Sequence, residues 1–133
     1  PMVASGGADV LVALEPAEAL RFSHFLSPQG IALVNTRPVL PVTVTAGSAR
    51  YPPLPEIIAP LKALCGKVIA MDATAHAKKA GSAQAMNVVM LGALAGFIPL
   101  SEELIVQALS LVVPARFLEA NMKAFALGKA EVE

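Results

Sequence analysis

The chain has 133 residues, 56% of them hydrophobic and 15% charged, with ten basic residues balanced by ten acidic ones. The zero net charge removes the electrostatic basis for nucleic-acid binding, and one Tyr, five Phe and no Trp leave no platform for stacked bases. Charged residues fall below the ~25% of an ordinary soluble domain, so apolar surface is expected to be hidden against a partner.

The length suits one domain over 1–133. The opening "PMVASGGAD" has no charged segment followed by an apolar one, so it is not a signal peptide; the chain reads as a piece of a longer one. "ADVLVALE" is a short run with Val and Leu on both faces, the pattern of a strand buried on both sides. Pro16 then opens a helix, where a missing N–H costs nothing. It places Leu20, Phe22, Phe25 and Leu26 on one side. After Gly30, "IALVNT" is a second buried strand. The prolines of "RPVLPVTVTAG" remove ladder donors, which makes it an edge strand or an extended loop.

"YPPLPEIIAPLKALCG" begins as a stiff turn and becomes a helix. Ile57, Ile58, Leu61, Leu64 and Cys65 face its core, Pro60 lies near the first turn, and Gly66 is the stop. "KVIAMDA" is a third buried strand, and "TAHAKKAGSAQ" is a polar break before an apolar helix. Ser101 caps a further helix, with Glu102 and Glu103 where the dipole favours anions. Pro114 ends that helix and starts the last one, whose inner face is Leu118, Met122 and Phe125 and whose stop is Gly128. Strands alternate with helices to about residue 72 and only helices follow. The expected fold class is α/β: a three-layer α/β/α unit with a mostly parallel, Rossmann-like sheet and a helical C-terminal third.

"QAMNVVMLGALAGFIPL", residues 84–100, raises the question of a membrane span. From Val88 to Leu100 it has no polar side chain. That falls short of the ~20 apolar residues a span needs, and Pro99 weakens its helical end. Gly92 and Gly96 have the spacing of a close helix contact. The segment reads as a buried helix of a soluble protein, with Asn87 at its polar start needing a partner.

The chain offers little catalytic chemistry. His24 and His76 are its only histidines, Cys65 its only cysteine, and there is no GxSxG, P-loop or GxGxxG pattern. A lone thiol builds neither an intrachain disulfide nor an iron–sulfur site, and a reducing cytoplasm fits it best. Asp72 and His76 are too few for a metal centre. "HAKKAGS" is either an anion-friendly approach to a helix or a solvated connection. Glu15, Asn35, Thr36 and Asp72 close the three strands. They either line one rim at the carboxyl ends of the sheet or cap the helices that follow.

"ADVLVALEPAEALRF", "GIALVNTRPVLP", "AQAMNVVMLGALAGFIPLSEE" and "VPARFLEANMKAFALG" resemble, in order and spacing, the gamma-type domain of the 2-oxoacid:ferredoxin oxidoreductases, most nearly the indolepyruvate enzymes. Asn87, Leu91 and Gly92 followed by "PLSEE" carry most of the resemblance. It implies a part of a complex that converts a 2-oxoacid, coenzyme A and oxidised ferredoxin into an acyl-CoA, carbon dioxide and reduced ferredoxin. Thiamine diphosphate, Mg and iron–sulfur clusters would sit on other subunits, and this domain would bind none of them. Its implied role is assembly and shaping of the coenzyme A side of the site. Partners would be a thiamine-diphosphate-bearing and a ferredoxin-like subunit, with no membrane and no nucleic acid; a homodimer is the alternative when the chain is isolated. Glu15, Asn35 and Asn87 are the rim or interface candidates and Lys78 and Lys79 the candidates for coenzyme A phosphates; no residue is assigned to catalysis or to a metal. The family's glycine-rich GxGGQG opening has no counterpart here, so its ligand role is not carried over and the chain reads as the C-terminal two-thirds of the family domain. The competing reading is a stand-alone α/β binding or assembly module with no redox role.

Overall fold

The computed structural model describes residues 2–133. Two units divide the chain, one ending at Ala70 and one running from Met71 to Glu133. The first is built on the alternation of strand and helix. β1 (Ala8–Ala13), β2 (Leu26–Asn35) and β3 (Lys67–Met71) form a three-stranded sheet in the order β1-β2-β3, with β1 and β2 parallel. Residues Val10 to Ala13 run beside Ile31 to Val34, whereas Ala8 lies opposite Leu26. Pro28 falls inside that irregularity, and a proline has no ladder donor to give.

α1 (Pro16–Arg21) and α3 (Leu54–Leu64) pack against each other. They close a core of Ala13, Ala19, Leu26, Ala32, Val34, Ile57, Leu61 and Cys65. The class is α/β, as the sequence implies. Only the central strand is as buried as expected: Ala32 to Asn35 are all buried, but β1 exposes Asp9, and β3 exposes Lys67 and Ala70. Strands at the edges of a three-stranded sheet have one neighbour each.

Several local expectations are corrected. α1 stops at Arg21, and a 3₁₀ turn over Ser23–Phe25 leads straight into β2 at Leu26, so Phe22 is partly exposed. The Ser23 hydroxyl donates to the Leu20 carbonyl at 2.7 Å, a local bond that competes with helix continuation. The 37–49 connection is not a strand; it contains only the short α2 (Val42–Thr45). Pro60 lies inside α3, not near its first turn. It removes the bond to the Glu56 carbonyl on an exposed face, where water can replace it. Leu64 is half exposed, and α3 ends at an extended Cys65 before Gly66.

The second unit is helical. The expected polar break is instead a helix, α4 (Ala73–Ala80), capped at its start by Asp72, whose Oδ1 accepts from the Ala75 N–H at 2.8 Å. Its alanines Ala73, Ala77 and Ala80 are buried, a small-residue stripe that a search for large apolar residues misses. Past Asn87, α5 (Met86–Ala95) is apolar on all sides, the mark of a buried helix. α6 (Glu102–Val112) starts at Ser101, whose hydroxyl accepts from the Leu104 N–H at 3.4 Å.

α7 (Ala115–Ala130) runs past Gly128, which is therefore not its stop. Gly92 on α5 and Gly128 on α7 mark where these helices touch. A Cβ on Gly92 would strike the carbonyl of Phe125, and one on Gly128 would strike the carbonyl of Val89. The helices approach backbone to backbone, as small residues permit. Gly96 plays no equal part: it is the C-cap of α5. Among the described residues no helix is long and apolar enough to cross a membrane.

Candidate functional site

In the first unit, the ends of β1 and β2 bring Glu15 and Asn35 to one rim. Glu15 is the N-cap of α1, and its Oε2 accepts from the Glu18 N–H at 3.0 Å. The Tyr51 hydroxyl donates to its Oε1 and accepts from the Ala17 N–H at 3.2 Å. Burial, and then the bond to the Glu15 carboxylate, push the Tyr51 phenol up to about 12, against the opposing Ala17 N–H. Asn35 is only 1% exposed. Its Nδ2 donates to the Leu14 carbonyl at 3.1 Å and its Oδ1 accepts from the Arg37 N–H at 3.4 Å. It stitches the outgoing end of β1 to that of β2.

Thr36 joins Pro16, Pro38, Tyr51, Pro52, Pro53 and Leu54 around a cavity of about 260 Å³ on this rim. Both Glu15 oxygens accept bonds, and the phenol keeps its proton at neutral pH. The arrangement is thus a rigid wall rather than a proton-transfer centre, and the capping expectation for Glu15 and Asp72 describes their bonds correctly. Sequence reasoning missed Tyr51. The available signal was a lone tyrosine heading the stiff "YPPLP" turn, where a phenol swings least.

In the second unit, Asn87 is exposed, so it is not the buried amide the sequence suggested. Its Oδ1 accepts from the adjacent Val88 N–H at 3.0 Å, at the start of α5 where backbone donors lack helical partners. It lines a groove of about 350 Å³ with Ser82, Gln84, Asn121 and Phe117.

Lys78 and Lys79 are exposed in the last turn of α4, ahead of Gly81 with its left-handed φ of 113°. This is the end of a helix, not the approach to one. The dipole there stabilises the cations but offers an anion no free N–H groups. Lys79 borders a depression of about 350 Å³ with Ala80, Lys123, Ala126 and Leu127, and Lys123 is already paired with Glu119 at 2.7 Å. His76 Nε2 pairs with Glu131 at 2.7 Å. Among the described residues no three His, Cys, Asp or Glu side chains group to hold a metal.

The profile of the pyruvate ferredoxin/flavodoxin oxidoreductase family matches residues 2–131. The chain belongs to that family. Indolepyruvate oxidoreductase subunit IorB of Archaeoglobus fulgidus is 42% identical over 130 residues, 96% of this chain and 65% of that protein. The subunit of the same name from Pyrococcus horikoshii is 44% identical over 131 residues, 96% of this chain and 64% of its own. The fold is similar to the crystal structure of the keto/oxoacid ferredoxin oxidoreductase gamma subunit from Geobacter sulfurreducens. There the TM-score is 0.67 at 25% identity, over 93% of this chain and 63% of that one. The chain thus spans a little under two-thirds of the length of these relatives. The family and the gamma-type fold are those that the sequence resembles.

Proposed function

We propose that the chain is part of a subunit of a 2-oxoacid:ferredoxin oxidoreductase of the indolepyruvate type. The observation that carries this is the 42–44% identity to indolepyruvate oxidoreductase subunits over 96% of the chain. The reaction is the oxidative decarboxylation of an aryl 2-oxoacid to an acyl-CoA with reduction of ferredoxin. Thiamine diphosphate with Mg, and iron–sulfur clusters, supply the decarboxylation and electron transfer from other subunits. The residues of this chain hold none of these groups.

Its own part is architectural. Glu15, Tyr51 and Asn35 fix the carboxyl-end rim of the first unit as a wall, and the exposed Asn87 presents an amide at the mouth of its groove. These surfaces serve assembly with a thiamine-diphosphate-bearing and a ferredoxin-like subunit in the cytoplasm, and they shape the side from which coenzyme A arrives. Lys78 and Lys79 are the candidates for its phosphates. The test is purification of the native full-length protein with its companions, followed by assay of coenzyme-A-dependent ferredoxin reduction by indolepyruvate. Co-elution with a thiamine-diphosphate-bearing subunit and turnover support the reading. A protein that elutes alone and has no such activity with any companion is the stand-alone binding module instead.

A further inference from the structure

α6 carries a second apolar stripe beside the one that packs inward. Its buried residues are Ile105 and Leu109. Leu104, Ala108 and Leu111 follow at spacings of four and three, the interval of a helix–helix seam. Leu104 is 57% and Leu111 87% exposed, and the adjoining Leu100 and Val112 are 55% and 75% exposed. An apolar depression of about 300 Å³ runs along the same side, between Leu91, Leu100, Leu104 and Ala108. So continuous a patch is the kind that marks an interaction surface.

The charges at its ends say what covers it. Glu103 flanks the start of the stripe, and its carboxylate accepts from the neutral Gln107 amide at 3.5 Å. Arg116 follows the end of the stripe. Its guanidinium lies over its neighbour Phe117, 4.6 Å from the ring centre. Among the described residues neither charge has an ion-pair partner. An acidic side chain thus stands at the start of the stripe and a basic one, in the first turn of α7, follows its end. A second copy laid antiparallel on it sets each acidic end against a basic end, twice over. A parallel copy sets like against like. Ala108, near the middle, is the small residue that lets two helices approach.

We propose that this face of α6 binds the same face of a second copy of the chain, antiparallel, with the two-fold axis beside Ala108 and reciprocal Glu103–Arg116 pairs. Such a contact is isologous, as closed dimers require. It does not depend on the oxidoreductase reading, and either can fail without the other.

The test is sedimentation of the purified full-length protein across the micromolar range. The wild type is expected to be a reversible dimer. L104E/L111E weakens dimerisation at least about tenfold, because it sets charges in an apolar seam. E103R and R116E alone each weaken it several-fold, and the E103R/R116E exchange restores it to within about twofold of wild type, the signature of paired charges. A108C, beside the axis, gives a covalent dimer on mild oxidation. All these positions are exposed, and circular dichroism confirms that each variant is folded. A wild type that stays monomeric overturns the proposal. So does a dimer indifferent to L104E/L111E, or a charge exchange that restores nothing.

Discussion

Replacing Tyr51 with Phe removes one oxygen atom, and with it two bonds: the one donated to Glu15 and the one accepted from Ala17. A hydrogen bond to a charged group is worth about 1.5–3 kcal/mol. The rise of the phenol from 10.0 to about 12, caused first by burial and then by the Glu15 bond, is the cost of ionising it and sets the pH dependence, not the strength of the two bonds. Tyr51 is partly exposed, which places the loss toward the lower end of the hydrogen-bond range. We predict that Y51F loses about 2 kcal/mol at neutral pH, read by urea unfolding.

The sign of the pH dependence follows from the raised value. The contribution is complete below the unfolded value of 10.0 and is lost as pH climbs through about 12. The gap between wild type and Y51F therefore narrows over that window. One Tyr and no Trp mean that the near-ultraviolet phenolate absorbance of this chain reports a single group. Its midpoint should lie near 12 in the folded protein and near 10 in urea. E15Q should lower it, because it removes the carboxylate that opposes ionisation. A folded protein titrating near 10, or a Y51F cost under about 0.5 kcal/mol, refutes the clamp.

Three further outcomes follow from the second unit. G92A and G128A each place a methyl group against a backbone carbonyl on the facing helix, and each should cost more than about 2 kcal/mol in thermal or urea unfolding. Asn87→Ala removes an exposed side chain whose Oδ1 accepts from its own next N–H. Stability should change by less than about 0.5 kcal/mol, while assembly or turnover of the reconstituted complex falls; if both are unchanged, Asn87 is not an interface residue. K78A/K79A should raise the KM for coenzyme A several-fold at unchanged kcat, and an unaltered KM removes both lysines from the phosphate site.

Most of the architecture was legible because it rests on period and punctuation. Short runs of Val, Leu and Ile pointed to all three strands, though β2 starts at Leu26 rather than after Gly30, and Ser101 marked the start of α6 by its hydroxyl. What escaped depended on contacts made through space. α4 was hidden because its inner face is alanine, which carries little hydropathy signal, and its outer face is lysine. Gly128 looked like a stop because glycine usually is one, yet here it is the contact point of two helices. Asn87 looked buried because its neighbours are apolar, but a helix start turns adjacent residues to different sides. For the candidate site, Glu15 and Asn35 were found from their place after apolar strands. Tyr51, 36 residues from Glu15, could be joined to it only by the fold.

The proposal at stake is membership of a working indolepyruvate-type oxidoreductase. It is tested most directly by purifying the native full-length protein with whatever binds it and measuring indolepyruvate- and coenzyme-A-dependent ferredoxin reduction. The expected result is co-elution with a thiamine-diphosphate-bearing subunit and turnover that needs both. Purification without that subunit, or a complex that leaves ferredoxin oxidised in the presence of indolepyruvate and coenzyme A, contradicts it.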